Sequence, residues 1–158
     1  MTQRIVYHGT LVNVHDMGVL IQGDSGVGKS LAALSLMRAG HRLVADDLVA
    51  IRKNESNKLM GQALEENVRI EVRGLGVFKA RSLFKDGTAL TSPIDIVVEL
   101  TPYIPERDDG RISPDVCQIN ILDCLLDKIL APVASGVNPG FLVEMIAKAH
   151  AARIAGKM

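Results

Sequence analysis

A glycine-rich stretch at 23–30 carries the strongest chemical signal in the sequence. It reads Gly-Asp-Ser-Gly-Val-Gly-Lys-Ser, a complete G-x-x-x-x-G-K-S pattern between the apolar run 19–21 and a helix-forming segment. In this setting, backbone amides at a helix amino terminus converge on phosphate oxygens, and glycines allow the close approach. Lys29 would supply positive charge to the phosphates, and the Ser30 hydroxyl would be a ligand for Mg²⁺. The predicted binding residues are Gly23, Asp24, Ser25, Gly26, Val27, Gly28, Lys29 and Ser30.

Two adjacent carboxylates, Asp46 and Asp47, follow the apolar residues at 43–45. An acidic residue at the tip of a buried strand beside a phosphate loop is the usual magnesium ligand, and one carboxylate suffices for that task. The second carboxylate is then available to accept the proton of an acceptor hydroxyl as a general base. The plainer alternative is that one aspartate only caps or solvates the turn.

Five further residues are weaker candidates when they are judged on spacing alone. Glu71 and Arg73 alternate with apolar residues, so they share one face of a strand, a pattern typical of a solvent-facing surface. His8 is a single histidine on a strand, which is more often structural than catalytic. Arg107 and Arg111 lie on a charged loop and could clamp a transferring phosphoryl group, although loop arginines are commonly only solvated.

Hydrophobic periodicity and turn residues predict the elements that must position these groups. The glycine-rich loop lies between a strand at 18–22 and a helix at 29–39 that ends at Gly40. A buried strand at 42–51 is expected to carry both aspartates. The other predicted elements are strands at 5–14, 58–64, 66–76, 94–100 and within 116–133, a short helix at 77–84, an exposed loop at 102–115, and a helix from Pro139 to about residue 154 with Asn138 as N-cap.

Length and composition restrict the classes of protein that fit. The chain has 158 residues, with 18 Lys and Arg against 18 Asp and Glu, and 47% of it is hydrophobic. This length favours one domain, and the apolar content suffices for a core, which excludes a disordered chain. Zero net charge, three Phe, two Tyr and no Trp make a nucleic-acid partner unexpected, because neither basic surface nor stacking residues are abundant.

The cysteines and the apolar segments indicate the compartment. Cys117 and Cys124 stand seven apart with no C-x-x-C and no histidine at ligand spacing, so we predict reduced core cysteines rather than zinc ligands. The sequence contains neither a secretory h-region nor a continuous apolar stretch long enough to span a bilayer. We therefore expect a cytoplasmic protein without membrane contact.

Three motifs together resemble the catalytic domain of bacterial HPr kinase/phosphorylase. They are GVLIQGDSGVGKS, GHRLVADDLV at 40–49 and EVRGLGV at 71–77, with His8-Gly9 upstream. The resemblance covers essentially the whole chain, residues 1–158, as a single catalytic domain. It implies an α/β fold, a P-loop-containing mixed sheet with flanking helices, similar to phosphoenolpyruvate carboxykinase.

The resemblance also implies an activity and a role for each candidate residue. The family phosphorylates a serine of HPr, the phosphocarrier of the sugar phosphotransferase system, with ATP and Mg²⁺, and forms hexamers. Residues 23–30 would bind ATP, Ser30 and Glu71 would ligate magnesium, and His8 and Lys29 would lie in the active site. Asp46 would be the catalytic base and Asp47 would serve the metal and phosphate side, or the two roles are reversed. Arg111 would be the active-site arginine, with Arg107 as the competing choice.

Two departures from the family pattern qualify these expectations. Members that also remove the phosphate carry a basic segment before the last helix, whereas here Pro132-Val133 is followed by 134–138 without arginine. The missing arginines do not touch the kinase chemistry, which is expected, whereas removal of the phosphate from HPr with inorganic phosphate stays open. The chain also corresponds to the catalytic core without the family's usual N-terminal domain. The alternative functions are a small-molecule kinase on the same core and a nucleotide-binding regulatory module without catalysis.

Overall fold

The computed structural model describes residues 3–156, and the ends of the predicted domain, residues 1, 2, 157 and 158, lie outside the described part. The strands are β1 (Arg4–His8), β2 (Thr10–Val14), β3 (Met17–Gln22), β4 (Arg42–Ala45), β5 (Leu48–Lys53), β6 (Leu59–Ala63), β7 (Arg69–Val72), β8 (Gly76–Lys79), β9 (Thr91–Pro93), β10 (Ile96–Pro102), β11 (Asp115–Ile121) and β12 (Cys124–Val133). The helices are α1 (Lys29–Arg38), α2 (Ala80–Leu83), α3 (Pro105–Asp108) and α4 (Pro139–Ile154).

A six-stranded mixed sheet, in the order β11-β12-β10-β3-β2-β4, forms the centre of the fold. β10 is parallel to both β3 and β12, whereas β2 is antiparallel to both β3 and β4. Helices α1 and α4 pack against each other on one face, where Leu36, Val98 and Val143 belong to one buried hydrophobic cluster. The predicted fold class, a mixed sheet with flanking helices, is confirmed.

A second sheet, in the order β1-β5-β6-β9, packs on the opposite face of the first. Successive side chains of a strand point to opposite faces of the sheet, so β2 and β10 contribute side chains to the packing on both faces. Val12 and Val98 join the helix-side cluster, whereas Leu11 and Val97 join a second cluster with residues of β5. The central strands are therefore buried on both faces.

The chain crosses between the two sheets three times, and at the first two crossings the prediction of one continuous strand was wrong. The predicted strand 5–14 is divided at Gly9 into β1 and β2, and the predicted strand 42–51 is divided at Asp46-Asp47 into β4 and β5. The Gly9 amide donates to the carbonyl oxygen of Asp47 at 2.9 Å, so the two crossings are joined. Hydrophobic periodicity could not reveal the second crossing, because the segments 43–45 and 49–51 on either side of the aspartate pair are both apolar and buried.

Three smaller predictions also need correction. Only Ala80–Leu83 of the predicted helix 77–84 is helical, because Gly76–Lys79 pairs with β7 in a hairpin. The predicted loop 102–115 contains α3, and Asp108 in it is 6% exposed. The cysteines are free, but Cys117 is exposed and Cys124 only half-buried, so neither is a core residue.

The two long helices begin and end where the sequence predicts. α1 is followed by Gly40 in the left-handed region, with φ 96°. At the start of α4, the Asn138 side chain accepts a hydrogen bond from the Gly140 amide at 2.8 Å. α4 packs mainly on α1 rather than on the sheet. Within residues 3–156, no helix is both long and apolar enough to cross a membrane.

Candidate active site

The glycine-rich loop joins the end of β3 to the first residue of α1, as the motif requires. Gly28 caps the helix with φ 118°, and Gly26 has φ 85°, a region that side-chain-bearing residues rarely adopt. A Cβ atom at Gly28 would lie 3.2 Å from Cγ of Pro139, so the beginning of α4 supports the loop from behind. The first amides of α1 have no carbonyl partner within the helix and are available for an anion.

The side chain of Lys29 lies back over this loop. Its ammonium group donates to the carbonyl oxygen of Gly23 at 2.5 Å and to that of Asp24 at 3.2 Å. The positive charge is therefore held by neutral carbonyl dipoles, without a carboxylate partner among the described ion pairs. An incoming polyphosphate would offer stronger, charged acceptors to the same group.

Asp46 links the sheet to the phosphate loop. Its Oδ1 accepts from the Thr10 hydroxyl at 2.8 Å, and its Oδ2 accepts from the Ser30 hydroxyl at 3.4 Å. Burial raises the pKa of Asp46 above its ordinary value, and the neighbouring charge of Asp47 acts in the same direction. The hydrogen bonds from Thr10 and Ser30 oppose this shift. Burial thus makes the charge of Asp46 unfavourable in the absence of a metal ion, and this carboxylate lies next to Ser30, the predicted magnesium ligand.

Asp47 occupies a different environment from its neighbour. Its side chain is exposed, and its backbone has φ 70°. The Leu48 amide donates to the Asp46 carbonyl oxygen at 2.8 Å, which closes a tight turn around Asp47. A left-handed aspartate held by its neighbours is a feature found often at functional sites. The turn presents the Asp47 carboxylate to solvent at the crossing between the two sheets.

His8 is brought to the same crossing. It is the last residue of β1, it is exposed, and it pairs in register with Leu48 on β5. The next residue, Gly9, donates its amide to Asp47. The structure therefore places His8 and Asp47 side by side along the backbone, although the sequence separates them by 39 positions.

The hairpin of β7 and β8 lies beside α1 and adds an arginine to the loop. A Cβ atom at Gly26 would lie 3.8 Å from Nη1 of Arg73, so the guanidinium group faces the phosphate loop. Arg73 lies in the hairpin turn after β7, so the predicted strand face shared with Glu71 is wrong. Glu71 is exposed on β7, and no described hydrogen bond joins it to Ser30 or to either aspartate. Sequence reasoning undervalued Arg73, whose only signal was its place in the EVRGLGV motif, and missed Thr10, which carries no signal.

The two loop arginines have different partners. Arg107 donates to the carboxylate of Asp108 and to the Pro102 carbonyl oxygen at 2.9 Å, and it thereby lowers the pKa of Asp108 to about 2. Arg111 donates to Asp115 at 3.2 Å, and both of these side chains are partly exposed. Neither arginine has a described hydrogen bond to residues 23–30. Arg107 therefore stabilises the turn at α3. Arg111 has only the partly exposed Asp115 as a described partner, so its guanidinium group can exchange this partner for another anion more easily.

The oxygen atoms around Ser30 fit a magnesium ion. Magnesium prefers hydroxyl, carboxylate and water oxygens, and it binds through one or two protein groups together with phosphate oxygens. The Ser30 hydroxyl and the Asp46 carboxylate offer such oxygens, and their separation of 3.4 Å exceeds the roughly 2.5–3.0 Å of a normal O–H···O hydrogen bond, so this contact is weak. These two groups could hold the ion at the mouth of the loop.

Comparison with known proteins gives matches along the whole chain. The family model for the HPr Serine kinase C-terminal domain matches residues 1–158. An HPr kinase/phosphorylase of Geobacillus kaustophilus is 44% identical over 143 residues, which are 89% of this chain and 46% of that protein. One of Caldanaerobacter subterraneus is 40% identical, covering 95% of this chain and 50% of that protein. The chain spans about half the length of these relatives.

A solved structure shows the same fold. The structure of the Hpr(Ser) kinase/phosphatase from Coxiella burnetii superposes with a TM-score of 0.87 at 30% sequence identity. The match covers 96% of this chain and 93% of that one.

Proposed function

The chain belongs to the HPr serine kinase C-terminal domain family, and from that premise we propose that it is an ATP- and Mg²⁺-dependent catalytic domain that phosphorylates a serine of HPr. The observation that carries this proposal is the junction of Ser30, Asp46 and Thr10 at the phosphate loop. A phosphate loop alone binds nucleotide. A second carboxylate, Asp47, exposed beside that junction gives the site a group that can activate an acceptor.

The proposed reaction is an in-line transfer of the γ-phosphoryl group. The serine hydroxyl oxygen of HPr forms a bond to the γ-phosphorus while the bond to the bridging oxygen breaks, and ADP leaves. Asp47 takes the proton of the hydroxyl. Lys29 and Arg73 lie where they would bind phosphate oxygens and stabilise their charge. Arg111 and His8 would complete the site around the acceptor. Bound magnesium would neutralise phosphate charge at Ser30 and Asp46.

The geometry favours one of the two assignments of the aspartates. Asp46 receives a hydrogen bond from Ser30, the hydroxyl that ligates magnesium in phosphate-loop proteins, which supports a position on the metal side. Asp47 is exposed and has no described side-chain partner, as an acceptor-facing base requires. We therefore assign the base to Asp47, and Glu71 remains a candidate outer ligand of the ion.

The segment before α4 supports kinase chemistry without phosphorylase chemistry. Residues 134–138 contain no basic side chain, and Asn138 is engaged in capping the helix and in donating to the Ser35 hydroxyl at 3.0 Å. We expect no phosphate-dependent dephosphorylation of phosphorylated HPr. By resemblance to its family, the protein is proposed to be a cytoplasmic homo-oligomer, a hexamer.

The direct experiment is transfer of label from γ-labelled ATP to purified HPr of the same organism. We expect Mg²⁺-dependent labelling of HPr, no labelling when the acceptor serine of HPr is alanine, and none with the Lys29→Met variant. ATP turnover with a small metabolite but not with HPr would contradict the protein substrate. Binding of ATP without turnover on either acceptor would contradict catalysis and indicate a regulatory module.

A further inference from the structure

A second polar cluster lies at the other end of α1, away from the phosphate loop. It consists of His15 on the turn between β2 and β3, His41 between α1 and β4, and Glu144 on α4. Nε2 of His41 is 2.5 Å from Oε2 of Glu144, and the His15 and His41 rings meet edge to face with centroids 4.6 Å apart. One ligand atom from each residue lies within 4.8 Å of the others.

The end of α1 fixes His41 in this position. Gly40 turns the chain in the left-handed conformation, and the His41 amide then donates to the Leu36 carbonyl oxygen at 2.9 Å. This is a common way to end a helix, and it directs the residue after glycine back toward the helix. His41 is only 5% exposed, whereas His15 is exposed. The cluster therefore has a rigid buried side and an open solvent side.

The donor set has a clear chemical preference. Two imidazole nitrogens and one carboxylate oxygen suit zinc and similar transition-metal ions, whereas magnesium favours oxygen ligands alone. Three protein ligands leave a further position for water, which the exposed side of His15 would admit. In the described part of the chain, this is the one group of three or more His, Cys, Asp and Glu side chains with its ligand atoms so close together.

From these observations, we infer that His15, His41 and Glu144 form a binding site for a divalent transition-metal ion of the zinc class, separate from the phosphate-transfer site. Coordination through Nε2 requires that atom to lose its proton, to Nδ1 when the ring is neutral and to solvent when the ring is charged, and both groups then exchange their hydrogen bond for metal coordination. The distance between the two sites is set by α1, whose ten residues span about 15 Å. The ion would connect the β2–β3 turn of the central sheet, the end of α1 and helix α4.

The test measures Zn²⁺ binding to tag-free protein by calorimetry without nucleotide, with excess Mg²⁺ present to compete at the oxygen ligands of the phosphate loop. We expect one Zn²⁺ per chain. The His15→Asn variant should bind at least about ten-fold more weakly, as loss of a ligand costs no less than loss of an outer-shell partner. Asparagine tolerates the left-handed φ of 51° at this position, so the turn is expected to persist.

The matched control is Asp16→Asn, since Asp16 is next to His15 on the same turn with φ 67° but is outside the cluster. This variant should bind Zn²⁺ as tightly as the unchanged protein. Equal affinities of the His15→Asn and Asp16→Asn variants would overturn the site, and so would the absence of stoichiometric binding. Neither of these results would affect the proposed kinase function, which is measured separately by transfer to HPr.

Two further measurements keep the test independent of folding defects. Zn²⁺ at one hundred times its dissociation constant should raise Tm by about 5–10 °C, and this rise should be lost in Glu144→Gln. Co²⁺ should bind without the intense near-ultraviolet band of thiolate coordination. A thiolate band would overturn the site, because it would place the ion at Cys117 or Cys124.

Discussion

At the amino-terminal end of α1, the Ser30 hydroxyl reaches Asp46 over 3.4 Å, whereas at the carboxyl-terminal end His41 and Glu144 are 2.5 Å apart. The first contact is long and lies beside a loop in unusual backbone conformations. The second is short and connects a helix end to α4. In the metal-free protein, α1 thus carries a polar cluster with a long, weak contact at one end and a polar cluster joined by a short contact at the other.

The pKa values of Asp46 and Glu144, the carboxylates at the two ends of α1, shift in opposite directions. Burial raises the pKa of Asp46, whereas the hydrogen bond from His41 lowers the pKa of Glu144, with smaller contributions from the charges of Lys148 and His15. Ionised Asp46 therefore destabilises the metal-free fold, and ionised Glu144 stabilises it. The phosphate end of α1 therefore holds a carboxylate at a cost in stability, whereas the other end contributes to the stability of the metal-free protein.

The largest expected effect is on catalysis at the phosphate end. Asp47→Asn should lower the rate of transfer to HPr by about 10²–10⁴-fold, because a general base typically contributes that much. Nucleotide binding should be retained, and added Mg²⁺ should not restore the rate. The measurement is initial rate of HPr labelling against Mg²⁺ concentration.

Asp46→Asn is the matched comparison for this prediction. Because Asp46 is placed on the metal side, its variant should require more Mg²⁺ and should recover part of its rate as Mg²⁺ is raised. The opposite pattern, with an unchanged Mg²⁺ requirement in Asp46→Asn and a Mg²⁺-sensitive defect in Asp47→Asn, would exchange the two roles.

The phosphate end was also the part of the molecule that sequence could best predict. The loop at 23–30 depends on local backbone conformation, so its motif correctly predicts the flanking strand and helix. The N-cap at Asn138 was predictable for the same reason. Contacts between residues far apart in the sequence could not be predicted. Thr10 reaches Asp46 across 36 positions, and an isolated threonine on a strand gives no sign of this.

The opposite end of α1 was invisible to sequence reasoning. His15 lies between the predicted strands 5–14 and 18–22, and Glu144 lies 103 positions beyond His41. No spacing rule joins them, because the antiparallel turn of β2 and β3 and the packing of α4 on α1 bring them together only in the fold. The division of 42–51 between two sheets was missed for a related reason, since hydrophobicity records burial and not which sheet buries a residue.

A smaller effect, on stability, is expected at the His41 end. Glu144→Gln in metal-free protein should lower the free energy of unfolding by about 1–2 kcal/mol, because His41 loses a charged hydrogen-bond partner while it stays buried. The lowered pKa means that this contribution is complete above the ordinary value of 4.5 and is lost as pH falls through the folded value. Urea unfolding at several pH values is the measurement. A Glu144→Gln deficit that stays constant down to pH 3 would contradict the ionised pair.

The smallest expected effect has the opposite sign and lies at the phosphate end. Because burial raises the pKa of Asp46, the folded protein holds its proton more tightly than the unfolded chain, so stability falls as pH rises from 3.8 through the raised value. Asp46→Asn, which keeps the shape without the charge, should therefore raise the free energy of unfolding at neutral pH by about 0.5–1 kcal/mol, the scale of other gains at functional sites. Urea unfolding in a chelator measures it. This gain should shrink as the pH is lowered. A variant less stable than the parent at pH 7 would show that the hydrogen bonds from Thr10 and Ser30 outweigh the effect of burial. The two ends of α1 would then differ in function but not in their effect on stability.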